Sequence, residues 1–505
     1  MVLSGYTLKN IESPGVQIPA PAIFDLPEKV LQFGTGVLLR ALPDYFIDKA
    51  NKQGIFNGRI VVVKSTETGG TGAFEKQDGL YTICTRGIEE GNKVAENIIC
   101  ASISRVLSAK SDWDKILECA HDPNMQVIIS NTTEVGIEKV NDDIHRYPPV
   151  SFPGKVLAFL YERYKAFGGS KKCGMVIVPT ELIIDNGKKL ESIVTELAYL
   201  NGLDEAFIDW LENCNRFCNS LVDRIVPGKP EEKIKAETTA ILGYDDELLI
   251  FSEAYRLWAI EGDEEIAEIL SFVKADAGTV VTKDIELFRE LKLRLLNATH
   301  TLSSGVAFLS GFPTVKDAMD DESMYAFISD LMSCEIAAAI PYPVDAAMAD
   351  AFIRKVLDRF RNPLIEHHWA GITLQYTSKM RMRVVAVLLQ YYKLYNTIPR
   401  NIALGFASYL VFMKAEKEEN GVFYGRLNDE FYPIRDDKAG YFHEKWKSVK
   451  PGLVAQTVLE DTGLWGQNLA QLPGFASAVQ EKIEEITGSG MAAVLQSRHP
   501  QKIPA

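Results

Sequence analysis

The sequence has few of the patterns that mark metal-binding or disulfide-stabilised proteins. Its seven cysteines are odd in number and scattered along the chain: Cys84, Cys100, Cys119, Cys173, Cys214, Cys218 and Cys334. No two pairs of cysteines with nearby histidines form a zinc-binding pattern, so we predict free thiols, a reducing compartment and no metal site. Cys214 and Cys218 in CNRFC are four residues apart, a spacing that predicts one face of a helix.

Long apolar runs and basic tracts are also absent. No run approaches the roughly 18 apolar residues that span a bilayer, and the N-terminal residues do not resemble a secretory signal. The 54 lysines and arginines are outnumbered by 68 aspartates and glutamates, which gives a net charge of −14. We therefore predict a soluble, cytoplasmic protein that binds a small molecule, with neither nucleic acid nor membrane as a partner. No pattern indicates an oligomeric state.

The 505 residues have an ordinary globular composition, 47% hydrophobic and 24% charged, and are enough for two or three domains. In the first half, four short apolar runs predict strands that are buried on both faces of a parallel sheet. They are KVLQFG (29–34), RIVVVKS (59–65), MQVIISNTT (125–133) and CGMVIVPTE (173–181). Helical patterns between them, such as RVLSAKSDWDKILECA (105–120) and KVLAFLYERYKAF (155–167), predict the crossovers of an α/β domain.

The pattern changes after about residue 245. Segments such as EEIAEILSFVKA, VDAAMADAFIRKVLDRF and SKMRMRVVAVLLQYYKLY show helical periodicity, and few β-branched runs remain. We predict an N-terminal Rossmann-like parallel-sheet domain over residues 1–245 and a mainly α-helical domain over residues 246–505. The boundary can lie anywhere between residues 230 and 285.

A glycine turn follows the first predicted strand in VLQFGTGVLLR. Gly34 and Gly36 would allow a tight turn and a close approach of the backbone to a pyrophosphate. Leu39 stands where the full fingerprint has a third glycine, so a plain strand–turn–helix is the alternative. Lys64 stands near the end of the second strand and Glu67 comes late, where an acidic residue usually contacts the ribose of NAD. Lys64 would suit a 2′-phosphate, so the residues alone leave NAD and NADP open.

The segment LKLRLLNATHT places an amine, an amide and an imidazole on one predicted helix. At about 100° per residue, Lys292, Asn297 and His300 fall within an arc of about 140°. The simplest interpretation is a snorkelling lysine with solvated or core-packed neighbours. The functional alternative is the oxidation of a secondary alcohol, in which a lysine takes the hydroxyl proton. An amide such as Asn297 then stabilises the developing alkoxide.

These three residues, spaced Lys292-x4-Asn297-x2-His300, resemble the signature of the mannitol dehydrogenase family, the polyol-specific long-chain dehydrogenases. QFGTGVLLRA, QDGLYTI (77–83), SNTTEVGI (130–137) and NSLVDRIVP (219–227) are similar to further family segments, and the resemblance spans residues 28–485. It implies a metal-independent oxidoreductase that uses NAD, with Lys292 as acid and base, Asn297 polarising the reacting oxygen and His300 binding substrate. The implied cofactor contacts are Phe33, Gly34, Gly36, Leu38, Arg40 and Asn131.

VPTELIIDNG and LWGQNLAQLPGF resemble a branch of this family that acts on sugar acids. In VPTELIIDNG, Glu181 stands where the family has a second oxyanion-hole asparagine, with a length change of one residue. The resemblance therefore makes Glu181 a catalytic candidate that would tune Lys292 or contact a substrate hydroxyl. A carboxylate that merely caps the next helix is the alternative.

A sugar acid needs a cationic partner for its carboxylate. Lys379, together with Arg381 and Arg383 in TSKMRMR, is the predicted substrate-binding candidate, and the family resemblance places a substrate-binding lysine here. The alternative is the basic face of an amphipathic helix. His367 and His368 are adjacent and would point about 100° apart on a helix, so we expect them to be surface or packing residues.

Two other functions stay open at this point. One is the same chemistry on a different substrate, such as fructuronate, mannitol or another polyol. The other is a catalytically silent protein that binds a dinucleotide as a sensor, against which the intact set of Lys292, Asn297 and His300 argues.

Overall fold

The computed structural model describes residues 1–65, 70–132, 136–228, 230–364 and 366–498. The chain divides into two compact units. The first contains Met1–Gly87 and Lys93–Ile285, and the second contains Ile88–Asn92 and the chain from Glu286 onward. The division lies at the end of the 230–285 interval, later than residue 245, because three further strands follow that residue in the first unit.

The first unit is built on a six-stranded parallel sheet. Its strands, numbered here in chain order, pair in the order β3-β2-β1-β4-β5-β6, which is the strand order of a doubly wound dinucleotide-binding fold. The strands are β1 (Glu28–Phe33), β2 (Arg59–Lys64), β3 (Ile103–Ser108), β4 (Val127–Ser130), β5 (Val176–Pro179) and β6 (Arg216–Phe217). The four predicted strands correspond to β1, β2, β4 and β5, and the predicted Rossmann-like fold is confirmed.

Alternate residues of these strands pack into two separate cores, one on each face of the sheet. In β2, Val61 and Val63 belong to one core, whereas Ile60 and Val62 belong to the other. Because successive side chains of a strand point to opposite faces, only a continuous apolar run can fill both cores. This is why these strands have runs such as RIVVV rather than an alternating pattern.

Two predictions of local structure were wrong. The segment 105–120 was predicted as a helix, but its first residues complete the edge strand β3, and the helix begins only at Trp113. Pairing with β2 outweighs the helical periodicity of these residues. Cys214 and Cys218 do not share a helix face, because the helix Glu205–Cys214 ends at Cys214 and the chain then forms β6.

The helices of the first unit are Val37–Ala41, Pro43–Lys52, Gly72–Lys76, Trp113–Glu118, Phe152–Ala166, Asn186–Leu200, Glu205–Cys214, Glu232–Leu242 and Glu264–Ile269. A four-stranded sheet contains Val16–Gln17, Asn92–Cys100, Tyr81–Glu89 and Ile250–Glu253, in that order. A three-stranded sheet contains Ser220–Asp223, Leu257–Glu261 and Thr279–Thr282. These smaller sheets supply the strands that continue beyond residue 245.

The second unit is mainly helical, as predicted. Its α-helices are Glu286–Leu291, Thr299–Leu309, Val315–Asp320, Glu322–Asp330, Ala346–Phe360, Trp369–Ile372, Tyr376–Lys379, Val385–Tyr395, Arg400–Phe412, Ala439–Ser448, Val454–Leu459, Thr462–Trp465, Phe475–Ser489 and Met491–Gln496. A small antiparallel sheet is formed by Lys417–Glu419, Val422–Leu427 and Glu430–Pro433. No helix within the described ranges is both long and apolar enough to cross a membrane.

Three helices of the second unit contain π-helical segments, namely Lys292–Ala298, Leu331–Ile336 and Met380–Val384. We call the continuous run 286–309 the Lys292 helix and the run 376–395 the Lys379 helix. A π-helix is rare and is often found at functional sites, because it redirects side chains relative to the α-helix around it. Both predicted substrate-side segments contain one.

Small residues allow the Lys292 helix to pack closely in the core of the second unit. A Cβ atom on Gly305 would lie 2.8 Å from Oγ of Ser408, and one on Gly405 would lie 2.5 Å from Cδ2 of Leu302. The hydroxyl of Tyr376 accepts a hydrogen bond from the backbone N–H of Gly305 (3.0 Å). The Lys292 helix is thus fixed on its buried side, C-terminal to the predicted site residues.

Candidate active site

A candidate cofactor site lies in the first unit, at the carboxyl edge of the six-stranded sheet. β1 and β4 are neighbours there although β2 and β3 of the same sheet come between them in the chain. Doubly wound folds bind ligands at such a point, where the strand order reverses. Asn131, just after β4, ties three strand ends together. Its backbone N–H donates to the carbonyl of Phe33 (3.2 Å), and its amide donates to the carbonyl and hydroxyl of Thr180 (3.1 and 3.0 Å).

The two glycines of the predicted cofactor turn have different structural requirements. Gly34 has a φ of +128°, and a Cβ atom there would lie 2.8 Å from Cδ1 of Leu39 and 3.1 Å from the carbonyl oxygen of Asn131. Gly36 is exposed and has an ordinary φ of −63°, and apart from its chain neighbours no heavy atom of the described residues lies within 4 Å of such a Cβ. The backbone therefore requires glycine at position 34, whereas position 36 leaves open space beside the chain.

The helix that follows the glycine turn begins at Val37, and its N-cap is Gly36, which has no side chain to cap the first N–H groups. Leu38 is half-buried in the first turn. Phe33 is fully buried, and its ring meets that of Phe152 edge to face at 5.2 Å. Any contact of Phe33 with a cofactor therefore involves its backbone.

Arg40 lies in the interior of the first unit. Its guanidinium donates to the carbonyl of Leu248 (2.5 Å) and lies 5.3 Å from the ring centre of Tyr81. The hydroxyl of Tyr81 is 3.1 Å from both the carbonyl of Arg40 and Oδ2 of Asp44. Burial raises the pKa of Asp44 to about 7, although Tyr81 and Arg40 partly oppose the shift. The observed contacts of Arg40 are structural, and a cofactor contact for it stays a prediction.

Glu181 follows β5 and is almost completely buried. Oε1 accepts hydrogen bonds from the backbone N–H (2.8 Å) and hydroxyl (3.0 Å) of Thr132, and Oε2 accepts one from the hydroxyl of Ser130 (3.1 Å). Burial raises the pKa of Glu181, and these three donors oppose the shift. The carboxyl group therefore fixes the segment after β4, next to Asn131.

The residues that would distinguish NAD from NADP are only partly described. Lys64 ends β2 and is 7% exposed, so most of its side chain is enclosed by the first unit. Glu67, the late acidic residue, lies outside the described residues, as do Thr133, Glu134 and Val135 of the SNTTEVGI segment.

A candidate substrate site lies in the second unit, on the Lys292 helix. Lys292 and Asn297 are both half-buried and lie within the π-helical segment Lys292–Ala298. Hydrogen bonds in a π-helix connect residues five apart, so Lys292 and Asn297 lie about one turn apart on the same side of the helix. The angle of about 140° expected from α-helical geometry is wrong, because this segment is not an α-helix.

His300, one residue into the following α-helix, is 8% exposed and packed among aromatic rings. Its imidazole stacks on Phe360 at 4.1 Å with an interplanar angle of 8°, and meets His367 and Trp369 edge to face at 5.0 and 6.0 Å. Nε2 of His300 has no hydrogen-bond partner within the described chain. Burial, reinforced by His367 and by nearby arginine and lysine side chains, holds its pKa well below the usual range. His300 is therefore neutral at physiological pH.

The Lys379 helix is tied to the Lys292 helix at the level of the site. Arg294 donates to the backbone carbonyls of Met382 and Arg383 (3.0 and 2.8 Å) and is held by Glu290 in a buried ion pair. The ammonium of Lys379 donates to the carbonyl of Ile372 (2.9 Å), and burial followed by the charge of Arg383 lowers the pKa of Lys379. Lys379 is thus a half-buried cation close to the charged groups around His300.

Two of the segments that resemble the family signature make buried contacts within the first unit. The amide of Gln77 in QDGLYTI donates to Oδ1 of Asp246 (2.7 Å), and Oδ2 of Asp246 accepts from the backbone N–H of Thr82 (2.6 Å). Arg224 in NSLVDRIVP lies 4.7 Å from the ring centre of Tyr45, and burial lowers the pKa of Arg224 to about 10. These contacts hold segments of the first unit together.

Both units of the chain match domains of a known protein family. Residues 28–271 match the mannitol dehydrogenase Rossmann domain, and residues 284–487 match the mannitol dehydrogenase C-terminal domain. The chain belongs to the mannitol dehydrogenase family. The resemblance stated from the motifs is thereby confirmed, as is the mainly helical character of its C-terminal domain.

Relatives within the mannitol dehydrogenase family align over most of the chain. It is 37% identical to the altronate oxidoreductase of Bacillus subtilis, covering 93% of this chain and 95% of that protein. It is 34% identical to the altronate oxidoreductase of Shigella flexneri, covering 96% and 98%. Among solved structures, mannitol 2-dehydrogenase of Pseudomonas fluorescens, in a ternary complex with NAD and D-mannitol, shares the fold at a TM-score of 0.65, with 21% identity over 98% of this chain and 99% of that chain.

Sequence reasoning missed several neighbours of the candidate site in this member of the mannitol dehydrogenase family. Phe360 and Trp369 enclose His300, and Arg359 contributes positive charge beside it. His367, expected to be a surface or packing residue, is half-buried against His300. Arg359 and Phe360 end an amphipathic helix, and such residues give no sequence signal that they face a polar site.

Proposed function

We propose that this protein interconverts D-altronate and D-tagaturonate with NAD, the activity of an altronate oxidoreductase, also called tagaturonate reductase. The observation that carries the proposal is the set of Lys292, Asn297 and His300 on one helix, in a chain 34–37% identical to altronate oxidoreductases over nearly its full length. The broader part of this function, an oxidoreductase that acts on a CH–OH group, follows from membership of the mannitol dehydrogenase family. The sugar acid, NAD and the roles of the residues are proposed.

Lys292 serves as the acid and base in the proposed mechanism. In oxidation its amine takes the proton from the substrate hydroxyl, and in reduction its ammonium returns that proton to the carbonyl oxygen. Because Asn297 lies one turn away on the same side of the helix, its amide N–H can donate to the same oxygen as negative charge develops there. The π-helical geometry supports this pairing, since both groups must reach one atom.

His300 binds a second hydroxyl group of the substrate in this proposal. A neutral imidazole has one donor and one acceptor nitrogen, and Nε2 has no partner in the described chain. The stacking on Phe360 fixes the plane of the ring, so its nitrogens have a defined direction. Lys379 contributes a further N–H donor on the substrate side.

The carboxyl edge of the six-stranded sheet fits a dinucleotide. Gly36 leaves room for close approach, and the uncapped N–H groups of the first turn after it, at Val37 and Leu38, suit a pyrophosphate. Phe33, Gly34 and Asn131 would hold the adjacent backbone in place. When bound, NAD accepts the hydride in oxidation, and NADH supplies it in reduction. The enclosed side chain of Lys64 supports NAD, since an NADP-binding lysine would present its amine to a 2′-phosphate.

Glu181 acts in this proposal through the segment that it holds. Its carboxylate oxygens accept hydrogen bonds from Ser130 and Thr132, on either side of the cofactor-side residue Asn131. A carboxyl group with a raised pKa at this edge also offers an acceptor to a substrate hydroxyl. Its main effect is to keep Asn131 and the end of β4 in the geometry that the cofactor needs.

The proposal is tested by steady-state kinetics with a panel of carbonyl substrates. The purified protein is supplied with NADH or NADPH and with D-tagaturonate, D-fructuronate or D-fructose, and nicotinamide absorbance is followed. We expect the highest kcat/KM with D-tagaturonate and NADH. Preference for D-fructuronate or D-fructose would overturn the proposed substrate, and preference for NADPH would overturn the proposed cofactor. Cofactor binding without turnover of any of these compounds would favour a sensor instead.

A further inference from the structure

Arg383 is a half-buried cation that no acidic side chain of the described chain neutralises. Its guanidinium donates one hydrogen bond, to the hydroxyl of Thr301 (3.1 Å), and forms no ion pair with any described carboxylate. Burial lowers the pKa of Arg383, and no neighbouring carboxylate raises it. An arginine has five N–H groups in a planar fork, so one neutral partner leaves most of its donor capacity for another group.

The position of Arg383 places this charge beside the proposed reacting groups. Thr301, which accepts the hydrogen bond from Arg383, donates in turn to the backbone carbonyl of Asn297 (2.8 Å). The charge of Arg383 also contributes to the low pKa of His300. Arg383 is therefore connected to the turn that carries Asn297 and lies in the same cluster as His300.

A second cation increases the uncompensated charge. Lys379 lies four residues before Arg383, and after burial the charge of Arg383 is the next cause that lowers the pKa of Lys379. The ammonium of Lys379 donates only to a carbonyl among the described residues. The carboxylate that most affects it is Asp436, whose oxygens accept from the backbone N–H groups of Thr377 and Lys438. Two nearby, partly buried cations that have no ion-pair partner among the described residues are unfavourable unless an anion binds there.

Arg381, between these two residues in sequence, does not belong to the cluster. It is exposed, and its guanidinium donates to the carbonyl of Gly463 (3.3 Å). The basic segment TSKMRMR therefore has one arginine that faces the site and one that lies on the surface. This difference gives a matched control on the same π-helical segment.

We propose that Arg383, assisted by Lys379, binds the carboxylate of the substrate and makes this enzyme selective for sugar acids over uncharged sugars. The inference deepens the proposed function and rests on it only for the location of the reacting carbonyl. A planar guanidinium fork matches a carboxylate in geometry, and such charge-assisted pairs are about twice as strong as neutral hydrogen bonds. The unpartnered Nε2 of His300 in the same cluster, in a residue 8% exposed, indicates that a polar ligand binds there.

The test compares Arg383→Gln with Arg381→Gln on charged and uncharged substrates. NADH-dependent reduction of D-tagaturonate, D-fructuronate, D-fructose and D-tagatose is measured for each variant. We expect Arg383→Gln to lower kcat/KM for the preferred acid by roughly 10- to 100-fold, mainly through KM, as expected for the loss of a charge-assisted pair. The values for the uncharged ketoses should stay within about threefold, the scale of a lost weak contact, and Arg381→Gln should change neither class.

The outcomes separate this inference from the proposed function. If Arg383→Gln lowers the values for acids and ketoses equally, Arg383 has a structural role and the inference fails, while turnover of D-tagaturonate still supports the proposed function. If the wild type reduces D-fructuronate but not D-tagaturonate and Arg383→Gln abolishes that selectivity, the inference stands and the proposed substrate is wrong. Reduction of uncharged ketoses alone would overturn both.

A conservative variant covers the case in which Arg383→Gln does not fold. Arg383→Lys retains the charge and a donor for Thr301 but loses the planar fork. We expect Arg383→Lys to retain part of the preference for acids. Its KM for the acid should be higher than the KM of the wild type and of Arg381→Gln. An unchanged KM for the acid, together with an unchanged ratio of acid to ketose, would contradict carboxylate binding by the fork.

Discussion

The glycine turn gives a sharp prediction, because its two glycines are needed for different reasons. In Gly34→Ala, the alanine must adopt a φ of +128°. Its methyl group would lie 2.8 Å from Cδ1 of Leu39 and 3.1 Å from the carbonyl oxygen of Asn131. Strained backbone of this kind costs about 1–3 kcal/mol, and overpacking costs about 1–3 kcal/mol more. We therefore expect Gly34→Ala to reduce the free energy of unfolding by roughly 2–6 kcal/mol.

Gly36→Ala is the matched control for stability and the test for cofactor contact. Position 36 has a φ of −63°, and apart from its chain neighbours no heavy atom in the described part of the chain lies within 4 Å of the added Cβ, so alanine should be neutral or stabilise by up to about 1 kcal/mol. If Gly36 allows the close approach of a pyrophosphate, the same methyl group should weaken NADH binding by about tenfold or more, the scale of one displaced contact.

Two assays measure these effects on the same proteins. Thermal unfolding should show a Tm lowered by at least about 4 °C for Gly34→Ala, given roughly 2–4 °C per kcal/mol in a unit of this size. For Gly36→Ala the Tm should be unchanged or slightly raised. Fluorescence titration with NADH should show weakened binding for Gly36→Ala. A fully stable Gly34→Ala would refute the backbone argument, and wild-type affinity in Gly36→Ala would remove Gly36 from the cofactor site.

Three further predictions follow from buried groups. Glu181→Gln should keep the free energy of unfolding within about 1 kcal/mol of wild type, because an amide can still pair with Thr132 and Ser130. Glu181→Ala should lose about 1–3 kcal/mol by leaving the N–H of Thr132 unpaired, and equal unfolding temperatures for the two variants would contradict the positioning role. Burial raises the pKa of Asp44 from 3.8 to about 7, so the folded chain binds that proton more tightly and stability should fall as pH rises from about 4 to about 7. Asp44→Asn should flatten this dependence when Tm is measured at pH steps across the window. An unchanged dependence of Tm on pH would contradict the raised pKa of Asp44. His300 has a pKa well below the usual range, so its imidazole NMR signals should not titrate between about pH 5.5 and 8, on either side of its unperturbed pKa, and a normal titration there would show that the ring is not enclosed.

Much of the first unit was predictable from sequence, because a parallel sheet buried on both faces requires continuous apolar runs. RIVVVKS illustrates this, since four consecutive residues of β2 fill two cores. The edge strand β3 was missed because it pairs on one side only, and its residues Arg105–Ser108 carry no such run. The short strand β6 was missed for a related reason, as two residues give no periodicity.

The candidate site was predictable in its residue types but not in its geometry. The spacing of Lys292, Asn297 and His300 carries the family resemblance, yet no periodicity in LKLRLLNATHT distinguishes a π-helix from an α-helix. The difference between Arg381 and Arg383 was equally hidden, because it depends on which side chain meets Thr301 from another helix. Tertiary packing decides which arginine contacts Thr301, whereas the sequence pattern shows only that basic residues are present.

The central claim is that the amine of Lys292 moves the proton in this reaction. Its most direct test is kcat for NADH-dependent reduction of D-tagaturonate by Lys292→Ala, with Lys283→Ala, an exposed lysine nearby in sequence, as the control. The account predicts that kcat falls by roughly 10²- to 10⁴-fold in Lys292→Ala while the affinity for NADH stays that of the wild type, and that Lys283→Ala is fully active. A Lys292→Ala enzyme that turns over at the wild-type rate would contradict it.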